Sequence, residues 1–410
     1  MTPTILFYII IGFLLFNYVF ERILEYLNST KRSADLPSEL EGIYDPDQYK
    51  RSQQYDKENQ KLTFISSTFN LIVILIFLTV NGFGFLDQLA HKISDHYIIV
   101  PLIFFGILFL ALDLINLPFS VYDTFVIEEK YEFNKTTVKT FITDKIKSWI
   151  LMIIIGGGLL SLIVWFYKIT GQNFWIYTWI LIVGFSGFMT MFYTHLILPM
   201  FNKLTPMEDG ELKDKIFKFT RRAGFGLKNI FIMDGSKRSS KANAFFSGLG
   251  KKKRIVLFDT LIKELKNNEI VAVLSHEIGH YKKKHTLANL LISTIETGIT
   301  LYILSLFIDN PQLSQALGAE EASFHIGLIA FGLLYSPISM ILGIVTNIIS
   351  RKNEYAADDF AAGFNLDNDL ISALKKLSVN NLSNLTPHPV YVFVNYSHPP
   401  LLSRINHLKS

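Results

Sequence analysis

A chain of 410 residues that is 50% hydrophobic, 14% aromatic and only 18% charged is too apolar for an ordinary soluble enzyme and indicates a membrane protein. The net charge of +4 is small and the basic residues are dispersed among loops, which excludes a nucleic-acid-binding arm. Because cysteine is absent, there are no disulfides and no thiolate metal ligands, and any metal must be held by His, Asp or Glu.

Seven almost uncharged apolar stretches come close to the length of about 20 residues that a membrane-spanning helix needs. In chain order they cover residues 1–20, 62–86, 97–112 with an extension past Asp113, 148–167, 173–200, 286–308 and 322–350. The first has no basic segment before it and no small-residue cleavage site before Glu21, so we interpret it as a retained anchor and not as a signal peptide. The sequence therefore predicts a multi-pass helical membrane protein.

Two acidic residues lie within these stretches, where a charge is costly. Asp113 and Glu296 should therefore face the bundle interior, a partner or water. For Asp113, a position close enough to an interface to be solvated locally is an equally good interpretation.

Lysine and arginine residues are distributed unevenly over the alternating loops. Residues 21–61, residues 121–148 and the tail from residue 351 together hold eighteen, whereas the opposite loops hold two, Lys92 and Lys168. Because cytoplasmic loops carry the excess of basic residues, this distribution predicts an N-terminus outside the cytoplasm. The largest loop, residues 201–285, is then cytoplasmic.

That loop has the composition of a small folded segment. It opens with FNKLTPMEDGELKDKIFKFTRRAGF, which has the pattern of an amphipathic helix. The apolar runs NIFIMD (229–234) and RIVLFD (254–259) flank a stretch containing Gly and Ser, which predicts a small antiparallel sheet. The stretch LIKELKNNEIVAVLSHEIGHYKKKH then predicts one short helix and one long helix.

The long helix carries the motif HEIGH. On a helix His276 and His280 are one turn apart on the same face, so both imidazoles can reach one zinc ion, and Glu277 lies beside them to activate the attacking water. Chance predicts about 0.01 matches to this pattern in a chain of this composition. Apolar neighbours such as Ile278 also fit a helix that is simply buried. The spacing favours a metalloprotease.

A catalytic zinc needs a third protein ligand, and Glu354 in RKNEYAADDFAA is the candidate. Asp358, one turn further on, could orient a ligand histidine by accepting a hydrogen bond from its other nitrogen. Taken alone, the stretch would be interpreted as acids on a solvated helix face. The two predicted spans between His280 and Glu354 return the chain to the same side of the membrane. Glu354 can therefore reach the metal ion that His276 and His280 would bind.

Six stretches together resemble one family far more specifically than HEIGH does. They are FVIEEKYEFNKTT (125–137), GSKRSSKANAFFSG (235–248), KRIVLFDTL (253–261), HEIGH, NEYAADDFA (353–361) and SHPPLLSRI (397–405). From about residue 40 to the C-terminus, the chain resembles the integral-membrane CAAX prenyl endopeptidase (type I) family of zinc metalloproteases.

The resemblance implies a seven-helix barrel around a water-filled chamber, with a gluzincin-type zinc protease domain on the cytoplasmic side. It implies one zinc ion per chain, held by His276, His280 and Glu354, with Glu277 as general base. It further implies that His398 and Arg404 stabilise the oxyanion or anchor the ligands, and that Asn243 and Ala244 belong to an edge strand that pairs with the substrate. For His398, a capped loop histidine is the alternative. The family often has a histidine where this chain has Lys241, which leaves substrate contacts there open.

These expectations divide the chain into transmembrane helices 1–5 (residues 1–200), a cytoplasmic metalloprotease segment (201–285), transmembrane helices 6–7 (286–350) and a segment that completes the zinc site (351–410). We interpret the remaining histidines as structural or solvated, namely His91, His96, His285, His325, His388 and His407.

The predicted function is cleavage of peptide bonds near the C-terminus of prenylated, CAAX-type proteins. The alternatives are a membrane-protein quality-control protease with the same site, and a non-catalytic protein with structural zinc. We expect a monomer in a lipid bilayer that binds a prenylated or membrane-associated peptide and no nucleic acid. The compact length favours a bacterial inner membrane, although an endoplasmic-reticulum location fits the topology equally well.

Overall fold

The computed structural model describes residues 1–32, 35–36, 38, 41–227, 229–248 and 253–410. The helices of the first half are α1 Pro3–Ser29, α2 Pro46–Thr79, α3 Gly82–Ile93, α4 Ile99–Tyr122, α5 Glu128–Lys130, α6 Val138–Leu151, α7 Gly157–Thr170, α8 Phe174–Leu196 and α9 Leu198–Phe201. The helices of the second half are α10 Glu211–Arg222, α11 Asp259–Glu264, α12 Asn267–Lys282, α13 His285–Phe307, α14 Pro311–Ala316, α15 Phe324–Ala362, α16 Asp367–Asn380, α17 Pro389–Asn395 and α18 Leu401–Lys409. The strands are β1 Leu204–Pro206, β2 Ile230–Met233, β3 Ala244–Ser247 and β4 Arg254–Phe258.

Six helical segments in the described ranges are long and apolar enough to cross a membrane: Pro3–Ser29, Pro46–Thr79, Ile99–Lys130, Val138–Phe201, His285–Phe307 and Phe324–Ala362. The segment Val138–Phe201 contains two of the predicted spans. A short turn, Gly171–Asn173, separates them, and α7 packs against α8. The multi-pass helical architecture is confirmed, whereas a count of seven crossings stays a prediction.

The acidic residues within the spans have different surroundings. Asp113 on α4 accepts hydrogen bonds from Lys145 Nζ at 2.7 Å and from Trp149 Nε1 at 2.9 Å, both on α6. This carboxylate therefore has a partner, which was one of the predicted outcomes. Glu296 on α13 is partly exposed, and no hydrogen bond or ion pair to its carboxyl group occurs among the described residues.

The sheet has the strand order β1-β2-β4-β3. β1 is antiparallel to β2, and β3 is antiparallel to β4, but β2 and β4 are parallel. The prediction that NIFIMD and RIVLFD form an antiparallel pair was wrong. The connection between them is long enough to make the crossover that parallel pairing requires, and β3 lies within that connection. In the strand order, β3 pairs only with β4 and is therefore an edge strand of the described sheet.

The sheet packs with α10 and α12 around one apolar core, which includes the buried side chains of Ile216, Phe219, Leu257, Leu274 and Ile278. Burying a side chain of this size stabilises the fold by about 1.5–3 kcal/mol. The helix α12 also packs against α15 and α16. The helix that carries HEIGH is thus fixed between the sheet and the C-terminal segment.

Candidate metal centre

The helix α12 places His276 and His280 on one face, as the spacing predicts. Their Nε2 atoms are 3.1 Å apart, and their rings are almost perpendicular at 82°. At the start of α12, Glu269 accepts a hydrogen bond from the backbone N–H of Lys266 at 2.7 Å, which stabilises the first turn. The two histidines therefore lie on a helix that is anchored at its N-terminus and buried along its length.

The helix α15 brings Glu354 to the same point. Glu354 Oε1 lies 3.3 Å from His280 Nε2, and Oε2 lies 3.4 Å from His276 Nε2. Close approach of the helices allows this, because Gly279 has no side chain where α12 meets Ala357. In the described part of the chain, His276, His280 and Glu354 form a group that could hold a metal ion, because one ligand atom from each lies within 4.8 Å of the other two.

The donor set fits zinc. Ligands placed tetrahedrally at about 2.1 Å from a zinc ion lie about 3.4 Å from one another. The two Nε2 atoms here are 3.1 Å apart, and each lies 3.3–3.4 Å from a different oxygen of the Glu354 carboxylate. Glu354 Oε2 is also a buried oxygen without a well-formed hydrogen bond among the described residues. Two imidazoles and one carboxylate are the set that leaves a fourth position of a zinc ion open.

Behind His276 lies a buried ionic pair. Asp358 Oδ1 is 2.9 Å from His276 Nδ1, and Arg404 donates to both oxygens of Asp358, at 2.9 and 2.6 Å. Burial alone would lower the pKa of His276, but hydrogen bonds to Asp358 and Glu354 raise the pKa to about 9. The surroundings of His276 therefore favour a positive charge on its imidazole. Asp358 lies where the sequence predicted an orienting carboxylate.

Arg404 was predicted either to stabilise the oxyanion or to anchor the ligands. Its guanidinium is buried and held by Asp358, and its Nη1 lies 3.6 Å from Glu354 Oε2. These contacts fit the anchoring role.

Glu277 is partly buried beside the two histidines. Burial raises the pKa of its carboxyl, and the charges of His276 and His280 oppose that rise. A carboxylate whose pKa is raised towards neutrality is better suited to accept a proton from water.

His398 lies in the loop before α18, and its Nδ1 is 3.0 Å from Glu354 Oε2. Its side chain is 67% exposed, so most of the imidazole is open to solvent. His398 therefore touches a candidate ligand and remains accessible to solvent.

Asn243 and Ala244 lie at the start of the edge strand. Ala244 pairs with Leu257 of β4, and the carbonyl of Asn243 accepts a hydrogen bond from Phe258 N at 3.0 Å. Among the described residues, no strand pairs with the other side of β3.

Lys241, the departure from the family pattern, contacts protein groups. Its Nζ is 2.9 Å from Glu128 Oε2 and 2.9 Å from the hydroxyl of Tyr55, and it lies 4.5 Å from the centre of the Phe133 ring. These contacts tie the chain just before β3 to α2 and α5.

Sequence reasoning missed His285. Its Nδ1 lies 3.0 Å from Nδ1 of His280, and its side chain is buried. The only signal in the sequence is its position at the junction of two helices. Of the other histidines, His325 pairs with Asp87, His407 with Asp359, and His388 caps α17, in agreement with structural roles.

Comparison with known proteins gives a consistent result over the whole chain. The profile described as CAAX prenyl protease N-terminal, five membrane helices, matches residues 25–203, and that of peptidase family M48 matches residues 206–410. A CAAX prenyl protease 1 homolog of Dictyostelium discoideum is 36% identical over 98% of this chain and 96% of its own length. The CAAX prenyl protease 1 of Saccharomyces cerevisiae is 35% identical over 98% of this chain and 94% of its own length.

The crystal structure of S. mikatae Ste24p is similar over 99% of both chains, with a TM-score of 0.95 and 33% identity. The fold and the membrane helices thus agree with the sequence relationships along the chain. The chain belongs to the CAAX prenyl protease family of membrane metalloproteases within peptidase family M48.

Proposed function

We propose that this protein is a zinc endopeptidase that cleaves peptide bonds near the C-terminus of prenylated, CAAX-type proteins. The observation that carries the proposal is the convergence of His276, His280 and Glu354 at separations suited to one zinc ion. The names of the relatives support the substrate class.

The edge strand β3 is where an extended substrate would bind by main-chain hydrogen bonds. Zinc, when bound, would supply a Lewis acid that polarises the scissile carbonyl and activates water. Glu277 would accept a proton from that water as its oxygen bonds to the carbonyl carbon. When the C–N bond breaks, Glu277 would return the proton to the leaving amine.

The remaining site residues would keep this geometry. Asp358, held by Arg404, fixes the ring of His276, and His398 would donate a hydrogen bond to the developing oxyanion. The protein groups thus orient the reactants and move one proton.

The site lies where polar and apolar parts of the chain meet. His276 and His280 are shortly before the apolar helix α13, and Glu354 lies near the C-terminal end of α15. We infer that residues 201–285 and 351–410 form the protease unit at the cytoplasmic boundary, and that residues 1–200 and 286–350 form the chamber. Glu296, without a partner in the described chain, would face water there.

A general quality-control protease is the second candidate, because an edge strand recognises the backbone and tolerates many sequences. The test compares a farnesylated C-terminal peptide, its unmodified twin and an unrelated unfolded membrane segment. We expect preferential cleavage of the farnesylated peptide. Equal cleavage of all three would favour general proteolysis, and cleavage of none would leave only a structural role for the metal.

A further inference from the structure

We propose that His285 is a positioning residue that holds the imidazole of His280 in the tautomer and orientation needed to bind metal. The inference deepens the proposed function, because it rests on the zinc site described above. It assigns a role to a histidine that does not itself belong to the ligand set.

The chain brings His285 to His280 only by breaking the helix between them. On a continuous helix a residue five positions later is rotated by about 140°, which would turn the two side chains apart. Instead α12 ends at Lys282, and α13 begins at His285. Lys284 between them has φ 62°, a left-handed conformation that a residue with a side chain rarely adopts. This turn returns His285 to the side of α12 on which His280 lies.

The contact specifies the protonation of both rings. The two Nδ1 atoms are 3.0 Å apart, so one nitrogen donates a hydrogen bond and the other accepts it. Nε2 of His280 faces His276 and Glu354 and must present a lone pair to bind a metal. The proton of His280 then lies on Nδ1 and is donated to His285, which carries its own proton on Nε2.

The two histidine ligands are therefore held by different acceptors. His276 is paired with the carboxylate of Asp358, whereas His280 is paired with a neutral imidazole. Groups that accept a hydrogen bond from a ligand histidine fix its tautomer, and removing one typically weakens metal binding by about 10–100-fold. His285 is buried, so water does not readily replace its nitrogen.

The test measures the zinc affinity of the full-length protein in detergent by competition with a chelator. We expect His285→Ala to weaken zinc binding by about 10–100-fold. His285→Asn should restore most of the affinity, because the asparagine oxygen can accept the same hydrogen bond. His407→Ala is the control, since in the described part of the chain the imidazole of His407 pairs with exposed Asp359 and with no candidate ligand.

A purely structural role makes a different prediction. Both His285 variants would then lower the thermal stability of the metal-free protein alike, and asparagine would not rescue zinc binding. Wild-type affinity in His285→Ala, or an asparagine variant as weak as alanine, would overturn the inference. Zinc content unchanged by His276→Ala would instead overturn the proposed metal site, and with it the role of His285.

Discussion

Gly279 of α12 packs tightly against Ala357 of α15. A Cβ atom at residue 279 would lie 3.1 Å from both Cα and the carbonyl oxygen of Ala357, and 3.1 Å from Cβ of Phe360. Two of these three atoms belong to the backbone of α15, which cannot move aside as a flexible side chain can. The same helix contact carries two candidate metal ligands on α12 and the third, Glu354, on α15.

Gly279→Ala should push α12 and α15 apart. We expect a loss of about 1–3 kcal/mol of stability from overpacking, together with weaker zinc binding. Denaturant unfolding and chelator competition measure the two effects. Gly332→Ala is a matched control on α15, because a Cβ there meets nothing within 4 Å. Equal behaviour of the two variants would show that the close approach does not define the site.

Removing a ligand should remove the metal. The wild-type protein should contain close to one zinc ion per chain, and His276→Ala or Glu354→Ala should lose most of it, because each leaves two protein ligands. Elemental analysis of the purified proteins measures this. Asp359→Ala is the control, since Asp359 lies on the same helix but is exposed and pairs with His407. A Glu354 variant with full zinc content would remove Glu354 from the ligand set.

Glu277→Gln should separate chemistry from metal binding. The amide keeps the size of the side chain but cannot accept the proton from water, so we expect full zinc content and a kcat lower by about 10²–10⁴-fold. The measurement pairs peptide cleavage with metal analysis on the same sample. Appreciable turnover in this variant would contradict the assignment of Glu277 as general base.

Local patterns in the sequence predicted the features that depend on neighbouring residues. The spacing of His276 and His280 needs only a helix, and the apolar spans need only sustained hydrophobicity. The pairing of β2 with β4 could not be predicted in the same way, because its direction depends on a crossover. The contact of His285 was missed for a similar reason, since it depends on the turn at Lys284. Likewise, nothing in the sequence near Asp113 identifies its partner on α6.

The stability of the α12 contact with α16 should depend on pH through Glu269. Burial would raise the pKa of Glu269, but Lys376, the backbone N–H of Lys266 and the hydroxyl of Ser372 together lower it below the ordinary value of 4.5. A carboxyl whose pKa is lowered on folding stabilises the fold above its unfolded pKa. That contribution is lost as the pH falls through the folded pKa.

Glu269→Gln should therefore lose about 1–2 kcal/mol at pH 7, since Lys376 is left without its partner but remains partly solvated. The difference from wild type should shrink at pH values below 4.5. Denaturant unfolding at several pH values measures it. Glu264→Gln is the control. Glu264 on α11 also accepts a hydrogen bond from α16, the helix that carries Lys376, but its partner is the neutral side chain of Asn380 and the bond is exposed. A difference that stays constant with pH would contradict this account.

Lys241 should influence substrate binding more than catalysis. Burial alone would lower the pKa of Lys241, but its contacts with Tyr55 and Glu128 raise it, so the side chain stays charged and paired. Lys241 lies two residues before Asn243, and its backbone carbonyl also accepts a hydrogen bond from Thr260 Oγ1 at 3.1 Å. The ion pair thus fixes the chain that leads into the edge strand, whereas the candidate metal ligands lie on α12 and α15.

Lys241→Met should therefore raise KM while kcat and zinc content change little, because the strand proposed to bind the substrate loses its anchor. Glu128→Gln should have a similar effect, and the double variant should be no worse than the stronger single variant, since both changes break one interaction. Lys237→Met is the control, because Lys237 lies in the same loop and, among the described residues, its side chain makes only an exposed hydrogen bond with the carbonyl of Phe201. Steady-state kinetics on one peptide measures all four variants. A fall in kcat with an unchanged KM would place Lys241 in the chemistry and not in strand positioning, and additive losses in the double variant would show that Lys241 and Glu128 act separately.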